Sequence, residues 1–538
     1  MKIFIYACVF FLIVPFDLTC QQIQNPIIPG FYPDPSICRV EGDYYIVNSS
    51  FHYWPGLAVF HSKDLIHWKQ IANALDRPEQ MDYDGYKPSK GIFAPTIRYH
   101  DGTFYIITTM VGEDAYAGPN FIITAKDPAG PWSNPVVVEG APGIDPSLFF
   151  DDDDKIYYVG KRYATRENCL GLKREIWLQE LDPTTFQLVG ESKALWSGTG
   201  GIHPEGPHIY KINGTYYLML AEGGTGYDHA ETIARSENIW GPYKPNPRNP
   251  VITSRHLGKE YPINNAGHAD LVETQNGQWY SVLLASEQVG KGHHHNKGRE
   301  TYIVPVIWED GWPVFSPGTG KVEYSYPAPD LPVQDAVEFN ELDDFDDETL
   351  PLYWNHILIP DKKDVSLSVK PGYLSLRTQR DTLGAVHAPS FAGRRQQHAR
   401  FSVTTKMEFR PRANGEEAGI VATHNELCNY RFVMKRKENN NVLQLIKNEN
   451  RKGISVLKEI PFQGKEIFLK MTFDNQEIDF QYSETGKEWV SFYENADNTI
   501  LTPAFAWGFV GTYVGVYASG NGEGHNNYAH FDWFEYKY

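Results

Sequence analysis

The sequence predicts an all-β protein: a five-bladed β-propeller followed by a β-sandwich of jelly-roll or concanavalin type. Three observations carry this. A strand-forming phrase recurs five times between residues 41 and 284. The segments around it are rich in Tyr, Thr and Val and punctuated by Pro, which excludes a helical solenoid. Far downstream, residues 398–410 alternate apolar and polar side chains with the period of a strand that has one buried face.

The N-terminus comes first in chain order. Met1-Lys2, an apolar run from Ile3 to Val14 and Pro15 have the shape of a secretory leader, too short to span a bilayer. Residues 1–20 are therefore read as a signal peptide. Cys20-Gln21-Gln22 resembles a lipoprotein cleavage site, although Asp17 stands where such sites usually carry Leu. The expectation is an exported, periplasmic protein, with a possible lipid anchor at Cys20 and no transmembrane segment.

The propeller is assigned to residues 24–325. Its phrase reads EGDYYIVNS, HDGTFYIITT, DDKIYYVGK, NGTYYLMLA and NGQWYSVLL, and each turn within it is a hairpin signal. The closing tyrosines are Tyr45, Tyr105, Tyr157, Tyr217 and Tyr280, spaced by 60, 52, 60 and 63 residues. Four strands per unit and five units close a propeller around an axis. The repeats stop at YPAPDLPVQD, so residues 326–337 are read as a linker and 338–538 as the sandwich. There Phe401, Val403, Thr405, Met407 and Phe409 share one face.

Composition narrows the function. The 538 residues carry 49 Lys plus Arg against 67 Asp plus Glu, a formal charge of -18, which argues against nucleic acid as a partner. Aromatic residues make up 14%, suited to strands and to sugar faces alike. Five cysteines without a CxxC pair form neither a zinc ribbon nor a disulfide scaffold, so Cys38, Cys169 and Cys428 are expected as buried thiols.

Eleven or twelve residues before each repeat tyrosine stand Asp34, Ala94, Asp145, Glu205 and His268. If that position opens the innermost strand of every blade, three carboxylates and a histidine converge at one mouth of the channel. Acids before turns are usually just solvated, which explains one of them well and three in register poorly. Converging acids suit glycoside hydrolysis, which needs one protonated and one ionised carboxyl. Asp34 is the candidate base, Glu205 the candidate acid and Asp145 the residue that tunes it; spacing alone does not assign these roles.

NPIIPGFYPDPSICRVEGDYYIVNSSFHYWPG, GIDPSLFF, PEGPHIYKINGTYYLMLAEGG and GRET, in that order, resemble the landmarks of glycoside hydrolase family 43. The resemblance spans residues 24–538, the back half resembling the sandwich of one branch of that family. It implies a five-bladed propeller and inverting hydrolysis, with Asp34 as base, Asp145 as pKa modulator and Glu205 as acid. It also implies a sugar-binding role for Arg299, a pocket wall at Phe51, and an axial histidine, His268, which in some members holds a cation or water. No cofactor is required; a structural cation near His268 is possible. Phe93 stands where close relatives often carry Trp before Ala-Pro. Tyr513, in GTYVG, matches the place from which the sandwich of such proteins inserts an aromatic plug.

The function expected is exo-acting release of terminal non-reducing α-L-arabinofuranosyl residues from hemicellulose oligosaccharides of arabinoxylan or xyloglucan type. β-D-xylosidase or dual activity is the near alternative, and Phe93 tips the choice. A non-catalytic sugar-binding propeller is the alternative of another class, disfavoured by the full acid set. Three further signals are given little weight. Asp151–Asp154 has Ile156 and Arg162 where a calcium loop needs Gly and Glu, so it reads as a solvated turn. His293, His294 and His295 point apart as neighbours and read as a mobile rim loop. Asn48-Ser49-Ser50 matches a glycosylation sequon but falls in a repeat strand.

Overall fold

The computed structural model describes residues 21–113, 118–164, 174–385 and 387–538. The leader, Cys20 and Cys169 lie outside the described residues. Among the described residues no helix is long and apolar enough to cross a membrane; the α-helical segment Pro503–Ala506 is a single turn.

Five antiparallel sheets stand around an axis, each built outward from an inner strand. The inner strands are Ser36–Val40, Thr96–His100, Ser147–Phe150, Glu205–Ile212 and Ile263–Glu273. The repeat tyrosines all fall in the strands next to these, where the phrase places β-branched and aromatic residues beside a hairpin turn. Blade 2 is irregular: Gly91–Ile92 and Thr96–His100 both pair with Thr103–Val111, interrupted at Phe93-Ala94-Pro95. Gln22–Gln24 pairs with Ser325–Pro327 in a two-stranded sheet of its own, so the start of the expected linker is a strand.

On the axis, the buried Asp270 of blade 5 gathers donors from three other blades. Ser36 Oγ (2.6 Å) and Ile37 N (3.0 Å) come from blade 1, Arg98 Nη1 (2.9 Å) from blade 2 and Tyr210 Oη (2.5 Å) from blade 4. Burial alone would raise the Asp270 pKa. The Arg98 guanidinium, the His208 ring and the hydrogen bonds from Arg98 and Ser36 together outweigh it and hold the group down to about 2. Blade 3 joins through Thr96 Oγ1, which donates to the Pro146 carbonyl at 3.0 Å. Asp151 is not the solvated turn residue expected from its acidic run. It is buried, accepting from Lys211 Nζ (2.6 Å) and Tyr216 Oη (2.7 Å), and so ties blade 3 to blade 4. Cys38 and Cys428 are free and buried, and burial pushes the Cys38 thiol up to about 12.

The sandwich packs an eight-stranded sheet on a six-stranded one. Period two governs the second sheet on both faces. In Tyr513–Ser519, Val514, Val516 and Ala518 enter the sandwich core, while Tyr513 and Tyr517 enter a core shared with propeller residues Phe31, Tyr53 and Trp54. Backbone pairing crosses the boundary too, Tyr53–Trp54 with His356–Ile357. Arg395 reaches from the sandwich to the Phe31 carbonyl (2.7 Å) with its guanidinium 4.0 Å over the Tyr32 ring. Two sheets that share one apolar core are not a detachable pair.

Asp270→Asn leaves Arg98 buried without a counter-charge and is expected to destabilise the protein by ~3–5 kcal/mol, read as a lower denaturation midpoint. Because folding depresses the Asp270 pKa, its contribution is present above the unfolded value of ~3.9 and fades as pH falls through that value toward about 2. The wild type should therefore lose stability across this window more steeply than the variant. Equal midpoints at neutral pH would remove the ion pair from the closure of the ring.

Candidate active site

Strand pairing identifies the equivalent position in each blade. Tyr45, Tyr105, Tyr157, Tyr217 and Tyr280 face Cys38, Arg98, Phe149, Tyr210 and Val272. Counting back four residues from these partners gives Asp34, Ala94, Asp145, Gly206 and His268. Four of the five share a left-handed backbone, with φ of 53° at Asp34, 56° at Asp145, 56° at Gly206 and 54° at His268. The sequence count had placed Glu205 there, and the pairing corrects it by one residue. Gly206 holds the shared position, and an irregularity between Glu205 and His208 lets the glutamate enter from one step earlier. Only glycine fits at 206, since a Cβ would lie 2.8 Å from His268 Nε2.

Asp34, Asp145 and His268 are buried, and Glu205 is half-buried. Their partners differ in kind. Asp34 accepts from Arg299 Nη1 at 2.6 Å and from the Ser49 hydroxyl. Asn48 Nδ2 braces the same turn on the Tyr32 carbonyl at 3.0 Å. Asn48-Ser49-Ser50, set aside as a sequon, is thus the floor beneath Asp34. Glu205 accepts from the buried Lys161 Nζ at 2.5 Å.

These environments separate the two remaining acids. Burial and the neighbouring Glu205 carboxylate push Asp145 well above the carboxylate range. Burial also works to raise Glu205, but the Lys161 ammonium overcomes it and holds Glu205 below its ordinary value. A proton on this pair is therefore held more tightly by Asp145 than by Glu205. Burial lowers the pKa of His268, leaving a neutral imidazole between Asp34 and Glu205. That one imidazole, beside acids engaged by Arg299 and Lys161, does not form a cation cage. Among the described residues no group of three His, Cys, Asp or Glu side chains is arranged to hold a metal ion.

The aromatic wall is Phe51, which packs on Phe93 at 4.9 Å, with the Arg299 guanidinium 5.5 Å from its centroid. Tyr513 does not line this wall, contrary to the expectation. It is 0% exposed and stacked on Tyr53 at 3.8 Å, in a strand paired on both sides. The ring that reaches the site from the sandwich is Phe509, four residues earlier and 43% exposed, 6.2 Å from both Phe51 and Phe93. Its carbonyl accepts from Arg299 Nη2 at 3.3 Å. The strand is spent on the domain boundary; only the loop before it is free to project. Gly298 makes the join possible, with φ of 74° and its missing Cβ 2.9 Å from Gly511.

A family model described as glycosyl hydrolases family 43 matches residues 23–313, and one described as a beta xylosidase C-terminal concanavalin A-like domain matches residues 342–537. The chain belongs to glycoside hydrolase family 43. It is 42% identical to a xylosidase/arabinosidase of Butyrivibrio fibrisolvens, over 95% of this chain and 98% of that one. It is 41% identical to a non-reducing end alpha-L-arabinofuranosidase of Bacteroides ovatus, over 97% and 96%. The crystal structure of a xylan beta-1,4-xylosidase from Bacillus halodurans superposes with a TM-score of 0.91 at 38% identity, covering 96% of this chain and 100% of that one. This family 43 chain is accordingly a glycosidase that acts on oligosaccharides.

Phe509→Ala should lower kcat/KM on nitrophenyl glycosides by about tenfold or more, the scale of a lost apolar contact in a pocket, with little change in unfolding midpoint. Cutting the chain near Val333 should abolish action on small and polymeric substrates alike, because it strips cover from Phe31, Tyr53 and Trp54. A propeller that cleaves nitrophenyl glycosides like the full chain would make the sandwich a separable anchor, whose loss weakens polymer action only.

Proposed function

We propose that the protein is an exo-acting, inverting glycosidase that releases terminal non-reducing α-L-arabinofuranosyl residues from hemicellulose oligosaccharides. The observation that carries the mechanism is the unequal treatment of the acids. Asp34, gripped by Arg299 and Ser49, is an acceptor-only carboxylate suited to take a proton from water. Glu205 and Asp145 share one proton. As a glycosidic oxygen replaces water beside Glu205, that proton moves from Asp145 to Glu205 and on to the leaving oxygen, while Lys161 steadies the glutamate. Asp145 is then both reservoir and modulator; inversion is what membership of family 43 implies, supported by a base and an acid on different blades.

Support for arabinofuranose comes from the Bacteroides ovatus relative and from Phe93, a ring smaller than Trp beside Phe51. β-D-xyloside cleavage, alone or as a second activity, is the other reading; the Butyrivibrio and Bacillus relatives carry that name. Export to the periplasm, with a lipid tether at Cys20 as the variant form, is proposed on the leader alone.

Kinetics on nitrophenyl arabinofuranoside and nitrophenyl xyloside, run in parallel, test the sugar. Asp34→Asn and Glu205→Gln should each cost ~10²–10⁴ in turnover on unactivated disaccharides. Only Glu205→Gln should be partly rescued by a nitrophenyl leaving group, which needs less protonation. Near-normal turnover in either variant would take that residue out of the mechanism. Proton NMR of the first product should show inverted anomeric configuration; a retained anomer would overturn the single-displacement scheme and leave the fold untouched.

A further inference from the structure

The face of the propeller opposite the catalytic mouth carries a groove of about 1060 Å³ between blades 4 and 5, at the top of the size range of small-ligand sites. Its walls are strand ends and turns. Asn213 and Thr215 come from the inner hairpin of blade 4, Asn238 from the turn after its third strand, and Trp279 and Trp308 from blade 5. The strand of the candidate acid measures the separation. Glu205 opens Glu205–Ile212 at the mouth and Ile212 closes it at the groove, about 23 Å away at ~3.3 Å per residue. The groove is therefore no part of the pocket around Asp34, Asp145 and Glu205.

One ring here departs from the repeat. The residues just before the closing tyrosines are Tyr44, Phe104, Ile156, Tyr216 and Trp279. The first four are buried, at 0, 3, 6 and 9% exposure, whereas Trp279 is left half-buried on the groove wall. It meets Trp308 edge to face at 5.4 Å, so the pair presents an apolar surface that the propeller itself does not cover. An indole left open where every other blade buries its residue points to a flat ligand.

The charges around the two rings are spent or balanced. Lys211 Nζ is held by Asp151 at 2.6 Å and Asp152 at 2.9 Å, and Arg235 Nη1 donates to the Gly311 carbonyl at 2.7 Å. Lys244, Glu237 and Glu273 remain exposed on the rim, which gives no excess of cations for an anionic ligand. A protein partner fits no better, because interface cores are depleted in Lys and Glu. Asn238 accepts from the Trp240 N–H with Oδ1 at 2.9 Å and keeps its own amide hydrogens to donate, while the Thr215 hydroxyl can donate and accept. Indole surface beside amide and hydroxyl groups matches a neutral sugar ring, whose C–H face is apolar and whose edge carries hydroxyls.

We propose that this groove is a second, non-catalytic site that holds a neutral hemicellulose chain. A chain held there keeps its ends at high local concentration around the protein, so the groove serves polymer and is idle on small glycosides. The proposal rests on the hemicellulose reading above.

Binding is read by electrophoresis in native gels containing arabinoxylan or xyloglucan, with every protein carrying Asp34→Asn so that the polymer is not cut. Trp279→Ala removes the open ring. Asn213→Gly combined with Thr215→Ala removes two polar partners at a turn whose φ of 49° glycine accepts, and it decides the matter if Trp279→Ala does not fold. The parent should be retarded by at least one polymer. Trp279→Ala should raise the dissociation constant about tenfold, the scale of losing one stacked ring face, and the double variant should weaken retardation in the same direction. Without Asp34→Asn, kcat/KM on nitrophenyl glycosides should stay within about twofold, as for well-separated sites, while kcat/KM on the retarding polymer falls. A parent that neither polymer retards, or retardation that the folded variants leave unchanged, would overturn the site. Retardation abolished by about 0.5 M salt would make the ligand ionic and overturn the neutral-sugar assignment. Nitrophenyl losses in parallel with polymer losses would tie the groove to the mouth and overturn its independence. A wild type that cleaves neither nitrophenyl glycoside would fail the hemicellulose reading instead, which the kinetics report separately from the gels.

Discussion

Five wedge-shaped sheets set around an axis have no covalent reason to stay closed, and a large share of their closure falls on one buried carboxylate. Asp270 takes donors from blades 1, 2 and 4 while belonging to blade 5. A buried acid is costly unless every lone pair is met and a counter-charge is near; Arg98 and the three hydroxyl and amide donors meet both conditions. The consequence for the site is direct. Asp270 lies two residues after His268, and Ser36, which donates to it, lies two residues after Asp34. Fixing the inner strands at this depth fixes the height and rotation of the residues one step up the axis.

One step up, the same strands begin in a left-handed turn, and this is what converts a ring of strands into a site. A non-glycine residue at positive φ is disfavoured for an L side chain, yet Asp34, Asp145 and His268 all adopt it. The packing below over-determines the backbone there. The acids are then distinguished by their second partners and not by their positions on the axis. Arg299 comes from blade 5 to Asp34, and Lys161 comes from blade 3 to Glu205. Asp145 is opposed by no cation at hydrogen-bonding distance among the contacts of the described residues, so burial and the Glu205 carboxylate raise its pKa.

Much of this was legible in the sequence, for definite reasons. Hairpins need Gly or Asp at the turn and rings beside it, so five blades repeat visibly. The acids could be found by counting back from the tyrosines, but the count could not separate two sources of an extra residue. In blades 3 and 5 it lies in the hairpin, where Tyr157 faces Phe149 and Tyr280 faces Val272. In blade 4 it lies before the strand, and so the count gave Glu205 where pairing gives Gly206. Ser49, Lys161 and Arg98 left weaker marks. Lys161 is one of two adjacent cations, with Arg162, at the end of an apolar strand phrase, and Ser49 is an ordinary serine whose role depends on a turn fifteen residues away. Tyr513 and Phe509 could not be told apart by motif, because the distinction is whether the residue sits in a doubly paired strand or in the loop leading to it.

The sandwich matters for the same reason that Tyr513 is buried. A sheet with one face in its own core and the other in the propeller's core cannot shift without opening both. The loop before Tyr513 is therefore anchored to both domains, although it comes from the sandwich. Its carbonyl at Phe509 and the carboxylate of Asp34 are bound by two nitrogens of one guanidinium, Arg299, which follows a glycine that only a close domain contact requires. Arg299 thus reads the position of both domains at once: any slip at the boundary would turn its fork away from Asp34, the proposed base. The loop so anchored holds Phe509 against Phe51 and Phe93 at the propeller mouth, the contact on which the exo action proposed above would depend.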